Sequence, residues 1–225
     1  MQWFEFDTPA DAATALAGAV SGALATAIRE RGEAVLAVSG GRSPVAFLQR
    51  LAESDLDWAR LTVTLVDERL VPEDHPDSNA ALVRRHLLTG AAAAARFLPL
   101  ALHPDDAAAS LAAARAAYRQ PDVTVLGMGD DGHTASLFPA APELTAGLAL
   151  PSAERLITVT PPAASHTRLS MTLAALLASG RLFLAIQGPA KRRVFEQTRQ
   201  AVDDALPISH VLHHTEVPLD VYWAS

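Results

Sequence analysis

Residues 33–44 read EAVLAVSGGRSP and place an apolar run, a glycine loop and a helix start one after another. The run Glu33–Val38 predicts a buried β-strand, because it is continuously apolar after its first residue. Ser43 followed by Pro44 predicts the first turn of a helix, since proline has no amide hydrogen to lose there. This segment therefore predicts a strand–loop–helix unit of an α/β protein.

The alternation of strand and helix continues along the chain. Further strands are predicted at Leu61–Val66, Val123–Gly127, Leu156–Thr160, Leu182–Gln187 and Val217–Trp223. Helices are predicted from Thr8 to about Arg31, from Ser43 to about Glu53, from Ser78 to about Leu88, and over Asp105–Tyr118, Thr167–Ala178 and Pro189–Val202. The pattern predicts a mainly parallel β-sheet flanked by helices on both faces, with right-handed crossovers. We expect a single domain over residues 1–225, since no internal repeat is evident.

Composition narrows the class of protein. Of the 225 residues 50% are hydrophobic and 19% are charged, which is ordinary for a soluble globular protein. Cysteine is absent, which removes disulfides and thiol nucleophiles and fits a reducing compartment. The amino terminus lacks the pattern of a secretory signal. The formal net charge of −7 argues against nucleic-acid binding, which requires a basic surface. We expect a cytoplasmic protein, a monomer or small homo-oligomer, with neither a nucleic acid nor a membrane as partner.

The glycine loop is a candidate anion site, formed by Ser39, Gly40, Gly41, Arg42 and Ser43. Glycines allow backbone N–H groups to approach a ligand closely, and the following helix adds a partial positive charge at its amino terminus. The loop matches neither the P-loop nor the GxGxxG fingerprint. An ordinary strand-to-helix turn remains the alternative interpretation.

A second polar group follows the strand Leu61–Val66, where the chain reads Asp67-Glu68-Arg69. Ligands of open parallel sheets bind beyond the carboxyl ends of the strands, so this group is placed for a site. A solvated, salt-bridged turn is the alternative. In the acidic loop that follows, His75 is interpreted as a solvated side chain.

The most specific segment is residues 126–139, LGMGDDGHTASLFP. Here an apolar strand ends in glycines, and a polar turn then presents Asp131 and His133. Histidine titrates near neutrality and can take up and return a proton, and a nearby carboxylate can orient its ring. A capping aspartate and a structural histidine are the alternative interpretation.

Three separated cations, Arg168, Lys191 and Arg192, complete the candidate set. Arginine binds phosphate bidentately and lysine acts as a point charge. The remaining histidines lack partners at metal-ligand spacing, and no Gly-x-Ser-x-Gly elbow occurs. We therefore expect neither a metal site nor a serine triad.

In this order, the motifs 39–44, 67–69 with 78–79, and 127–139 resemble those of the 6-phosphogluconolactonase family. The first two are shared with the related glucosamine-6-phosphate deaminases. The resemblance implies a sugar-phosphate isomerase-like, Rossmann-like three-layer sandwich with no cofactor. It also implies hydrolysis of 6-phospho-D-glucono-1,5-lactone in the oxidative pentose phosphate pathway.

The resemblance further implies a role for each matching residue. His133 would be the general acid/base, and Asp131 a neighbouring polar or orienting group. The sequence leaves open whether Asp131 or Asp67 is the carboxylate that supports His133. Arg69 would contact the sugar acid. The glycine loop, Arg168 and Lys191 would hold the phosphate, although the residues around Arg168 depart from the usual family pattern.

Two other functions are compatible with these motifs. A deaminase or isomerase of the same fold generally carries an acidic residue shortly after the Asp-Gly-His turn, and residues 134–139, TASLFP, contain none. A sugar-phosphate sensor of a transcription regulator would normally carry a DNA-binding segment, and the sequence begins directly with the first strand and helix. Both features favour the lactonase.

Overall fold

The computed structural model describes residues 1–41, 43–163 and 165–225. Its strands are β1 (Gln2–Phe6), β2 (Ala34–Val38), β3 (Leu61–Leu65), β4 (Asp67–Arg69), β5 (Arg96–Leu98), β6 (Val123–Leu126), β7 (Leu156–Val159), β8 (Arg168–Met171), β9 (Arg181–Gln187) and β10 (Leu219–Ala224). Its α-helices are α1 (Pro9–Arg31), α2 (Val45–Ala52), α3 (Asn79–His86), α4 (Ala107–Ala117), α5 (Leu144–Leu148), α6 (Leu173–Leu177), α7 (Gly188–Thr198) and α8 (Ile208–Leu212).

Seven strands form the central sheet, in the order β1-β10-β9-β6-β2-β3-β5. Every pairing within it is parallel. All residues of β2 and β6 are buried, which requires helices on both faces of the sheet. The predicted α/β fold, with a mainly parallel sheet between helical layers, is confirmed.

A second, smaller sheet is antiparallel, in the order β4-β8-β7, and its strand β4 begins two residues after β3 ends. The predicted helix over Thr167–Ala178 is wrong in its first half, because Arg168–Met171 is strand β8 and α6 covers only Leu173–Leu177. A segment as short as Arg168–Met171 has no period that distinguishes helix from strand, and pairing with β4 and β7 makes it a strand. The predicted strand Leu156–Thr160 also belongs to this sheet. The very short strands β4 and β5 were not predicted.

Helix α1 shows how the sequence sets the ends of an element. The side chain of Thr8 accepts a hydrogen bond from the backbone of Asp11, and Gly32 ends the helix in the left-handed conformation. By length and apolar composition α1 could cross a membrane. However, its residues Leu16 and Leu24 are buried in the hydrophobic core, and it packs against the central sheet. This burial is typical of a core helix in a soluble protein.

Candidate active site

A cavity of about 450 Å³ opens beyond the carboxyl ends of β2, β6 and β9. Residues that directly follow or end these strands form its floor, among them Ser39, Gly127 and Gln187. This is where open parallel sheets bind ligands, and the volume is typical of a small-molecule site. Its wall includes these predicted site residues: Ser39, Gly40, Gly41, Ser43, Asp67, Arg69, His133, Arg168 and Lys191.

The glycine loop joins the ends of two neighbouring strands. The amide of Ser39 donates to the carbonyl of Val125 at 3.0 Å, and its hydroxyl accepts from the amide of Gly127 at 3.2 Å. Gly41 adopts a φ of +95°, which side chains disfavour. Arg42, the fifth predicted residue of this loop, lies outside the described residues.

Gly40 is required by a close approach rather than by its backbone angle. A Cβ atom at this position would lie 1.8 Å from the side-chain oxygen of Asn79. Asn79 is 2% exposed and donates from its side chain to the carbonyl of Asp67 at 2.9 Å. The glycine loop is therefore fitted against the residue that begins α3.

The Asp67-Glu68-Arg69 group is a strand rather than a solvated turn, and Glu68 is 2% exposed. The Glu68 carboxylate accepts hydrogen bonds from the backbone amides of Arg69, Asn79 and Ala80 at 2.7–2.8 Å. Burial raises the pKa of Glu68, while these three amides oppose the rise. Glu68 thus fixes the start of α3 against the strand that carries Arg69 and Asp67.

Asp131 is the carboxylate that contacts His133. Its Oδ1 lies 2.5 Å from the imidazole Nδ1 and also accepts the backbone amide of His133 at 3.1 Å. The hydrogen bond from His133 is the main cause that lowers the pKa of Asp131 below its usual value, against a smaller opposing effect of burial. An ionised carboxylate can only accept, so Nδ1 carries the proton and the Nε2 lone pair is left for chemistry.

The loop around this pair is shaped to hold it. A Cβ on Gly129 would lie 2.2 Å from Nδ1 of His133, so a side chain there would displace the imidazole. The ring also packs on Phe138, with 4.4 Å between ring centroids. Asp67, the other candidate partner, instead accepts the hydroxyl of Ser136 at 2.6 Å. Asp67 therefore lines the cavity without contacting His133 by a hydrogen bond.

Two guanidinium groups lie on the small sheet, because Arg69 of β4 is in register with Arg168 of β8. Burial lowers the pKa of Arg168, and the positive charge of Arg69 adds to this effect. Nearby carboxylates, that of Asp67 first among them, oppose this shift, and the two arginines together offer guanidinium donors to an anion. Lys191, in the first turn of α7, adds a third positive charge to the wall.

Arg192 does not take part in the cavity wall. Its guanidinium contacts Glu5 at 2.9 Å and stacks over Trp223, 4.6 Å from the ring centroid. The cation predicted next to Lys191 therefore has a structural role. The reason is helical geometry, because consecutive helix residues point about 100° apart.

Some lining residues were not predicted as site residues, among them Asn79, Gln187 and Phe138. Gln187 is the last residue of β9 and precedes a glycine, and Ser39 directly follows β2 and also precedes a glycine. That parallel was a usable signal. Among the described residues, the one cluster of three possible metal ligands lies outside the cavity wall.

Comparison with known proteins identifies the family. The family model for glucosamine-6-phosphate isomerases/6-phosphogluconolactonase matches residues 7–223. The chain therefore belongs to this enzyme family.

Several similar members of the family are named 6-phosphogluconolactonase. A 6-phosphogluconolactonase of Neisseria meningitidis serogroup A is 47% identical over 230 residues, covering 99% of this chain and 98% of the relative. One from Pseudomonas putida is 49% identical, with 94% and 88% covered. The crystal structure of a 6-phosphogluconolactonase from Shewanella baltica matches with a TM-score of 0.96 at 36% identity, covering 100% of this chain and 98% of that one. The lactonase branch of the family is thus the one that this chain resembles.

Proposed function

We propose that this protein hydrolyses 6-phospho-D-glucono-1,5-lactone to 6-phospho-D-gluconate, the lactone-opening step of the oxidative pentose phosphate pathway. The observation that carries the proposal is that His133, backed by Asp131, faces the same cavity as the glycine loop and the cationic residues. A proton-transfer group and an anion-binding wall in one small cavity suit a phosphorylated substrate with an acid/base-sensitive bond.

The chemistry needs no covalent intermediate, because a δ-lactone is an activated ester. Nε2 of His133 accepts a proton from water as its oxygen attacks the lactone carbonyl. Arg69 or backbone amides stabilise the negative charge that develops on the carbonyl oxygen. The imidazolium then returns its proton to the departing ring oxygen, which leaves the hydroxy acid. Asp131 keeps the ring in the productive tautomer and stabilises the transient imidazolium.

Binding is assigned to the cationic wall. Arg168, Lys191 and the amides of the glycine loop hold the phosphate, and Arg69 contacts the sugar-acid end. The chain as a whole has a net charge of −7, so an anionic substrate is attracted to this site by the local cluster of cations. Fixing the phosphate also orients the lactone for attack, a contribution that can exceed that of proton transfer.

A cytoplasmic location follows from the same proposal. The apolar helix α1 is occupied by core packing, and the sequence has no cysteine to form disulfides. The pathway substrate is a soluble sugar phosphate. We infer that the partner of this protein is that small molecule, rather than a membrane or a nucleic acid.

The direct test measures acid release from freshly prepared 6-phosphogluconolactone, with the spontaneous rate subtracted. We expect rapid turnover by the wild-type protein and a severe loss of kcat in H133A with a mild change in KM. The exposed His103 provides a control, since H103N should keep wild-type turnover. Normal turnover by H133A would remove the proposed role of His133.

The same preparation discriminates the alternatives. A deaminase would release ammonia from glucosamine 6-phosphate, and a sensor would bind sugar phosphates without turning over any lactone. Residues 134–139 include no acid, and the buried Ser136 holds Asp67 by a hydrogen bond. We expect no ammonia release above background.

A further inference from the structure

Outside the cavity wall, two segments bring His75, Asp77 and His166 together. Oδ2 of Asp77 lies 3.2 Å from Nε2 of His166 and 3.9 Å from Nδ1 of His75. The two imidazole rings meet edge to face, with 5.4 Å between centroids. All three potential ligand atoms lie within 4.8 Å of one another. The cluster could not be predicted from residue spacing, because His166 is distant from the other two residues along the chain.

The donor set is that of a transition-metal site. Zn²⁺ binds imidazole nitrogen and carboxylate oxygen at about 2.0–2.2 Å, so tetrahedral ligand atoms lie roughly 3.3–3.5 Å apart. The Asp77–His166 distance already matches, and the Asp77–His75 distance would need to close by about 0.5 Å. Two imidazoles and one carboxylate suit Zn²⁺, Co²⁺, Ni²⁺ or Cu²⁺ far better than Mg²⁺ or Ca²⁺.

We propose that His75, Asp77 and His166 form a binding site for one divalent transition-metal ion of the Zn²⁺ class, outside the cavity wall. The side chains of His75, Asp77 and His166 are 36%, 55% and 26% exposed, so an ion can enter from solvent and water can complete its coordination. Nδ1 of His75 now accepts the backbone amide of Asp77 at 3.1 Å, and this lone pair passes to the metal on binding.

The site is joined to the cavity through the backbone of its own ligands. The carbonyl of Asp77 accepts a hydrogen bond from Nη1 of Arg69 at 2.6 Å. The carbonyl of His166 accepts one from Nε of Arg168 at 3.2 Å. An ion held here therefore cross-links the two segments that fix both guanidinium groups of the small sheet. We expect metal binding to stabilise the fold around these arginines.

The test uses the full chain after treatment with a chelator and its removal, with Zn²⁺ as the titrant in calorimetry. We expect one ion per chain, and at about 100 times its dissociation constant a rise in the unfolding midpoint of about 5–10 °C. Replacing Zn²⁺ with Co²⁺ should give the intense visible absorption of a four-coordinate site.

Four variants separate this site from other histidine–carboxylate pairs. H166N should weaken Zn²⁺ binding at least tenfold, and D77N should do the same while it keeps the backbone carbonyl that holds Arg69. The matched control is H210N. It removes a single histidine–carboxylate contact, between His210 and Asp204 at 2.8 Å, and should leave Zn²⁺ binding unchanged. H133A tests the cavity pair and should retain the ion. The proposal is overturned if wild type binds no Zn²⁺, or if H166N binds as tightly as wild type while H133A does not.

Discussion

Asp131→Asn combined with His133→Ala tests how the cavity's acid/base unit works. In the structure the Asp131 Oδ1–His133 Nδ1 distance is 2.5 Å, and the hydrogen bond lowers the pKa of Asp131, so the carboxylate accepts as an anion. Charge-assisted hydrogen bonds contribute about 1.5–3 kcal/mol, or roughly 10- to 150-fold in rate. The Asp131 side chain is 50% exposed, so water screens its interaction with His133. We therefore expect D131N alone to lower kcat by about 10- to 30-fold, the lower part of that range.

The double variant decides whether Asp131 acts through the imidazole. H133A alone should lower kcat by about 10²–10⁴-fold, the usual contribution of general acid–base catalysis. If Asp131 only orients the imidazole and stabilises its protonated form, adding D131N to H133A should lower kcat no further. The reason is that the effects of groups that act as a unit are not additive. The assay is the initial rate of lactone hydrolysis under saturating substrate, corrected for the spontaneous reaction.

The neighbouring residue provides a matched control. Asp130 is exposed and one position away, so D130N removes the same charge from the same turn and should keep kcat within about twofold of wild type. Equal losses in D130N and D131N would show that the net charge of the turn matters rather than the hydrogen bond. Multiplicative losses in D131N/H133A would refute the unit described here.

The other predictions concern binding, packing and pH. K191A should raise KM for the phosphorylated lactone about tenfold or more with little change in kcat, measured by steady-state kinetics, because a point charge on the phosphate is removed from ground and transition state alike. G40A should lower stability by about 1–3 kcal/mol in urea unfolding, since its Cβ overlaps Asn79; G127A, with no described atom within 4 Å, should be milder. The folded state lowers the pKa of Asp131, so the ionised carboxylate stabilises the fold above pH about 4, and this stabilisation is lost as the pH falls further. The difference in urea midpoint between wild type and D131N should therefore shrink as the pH falls below about 4. A difference that grew would contradict the assignment.

Local patterns in the sequence were sufficient for the fold class and for most strands of the central sheet. Buried strands such as β2 and β6 are continuously apolar, and helix ends such as Thr8 and Gly32 depend on neighbouring residues. The glycine loop and the turn that carries His133 lie at strand ends for the same local reason. These features need no knowledge of distant contacts, so the fold class and the cavity's main segments could be predicted.

The small sheet and the pairings of polar side chains required the tertiary structure. Residues 168–171 are a strand because β4 and β7 offer backbone partners, and no local pattern reveals such pairing. The same sheet puts Arg69 beside Arg168. The choice of Asp131 over Asp67 as the partner of His133 depends on distances of a few ångströms, as does the meeting of His75 with His166. Sequence determined which chemical groups this protein carries, and the packing of distant segments decided which of them touch, because hydrogen bonds and metal ligation act only at contact range.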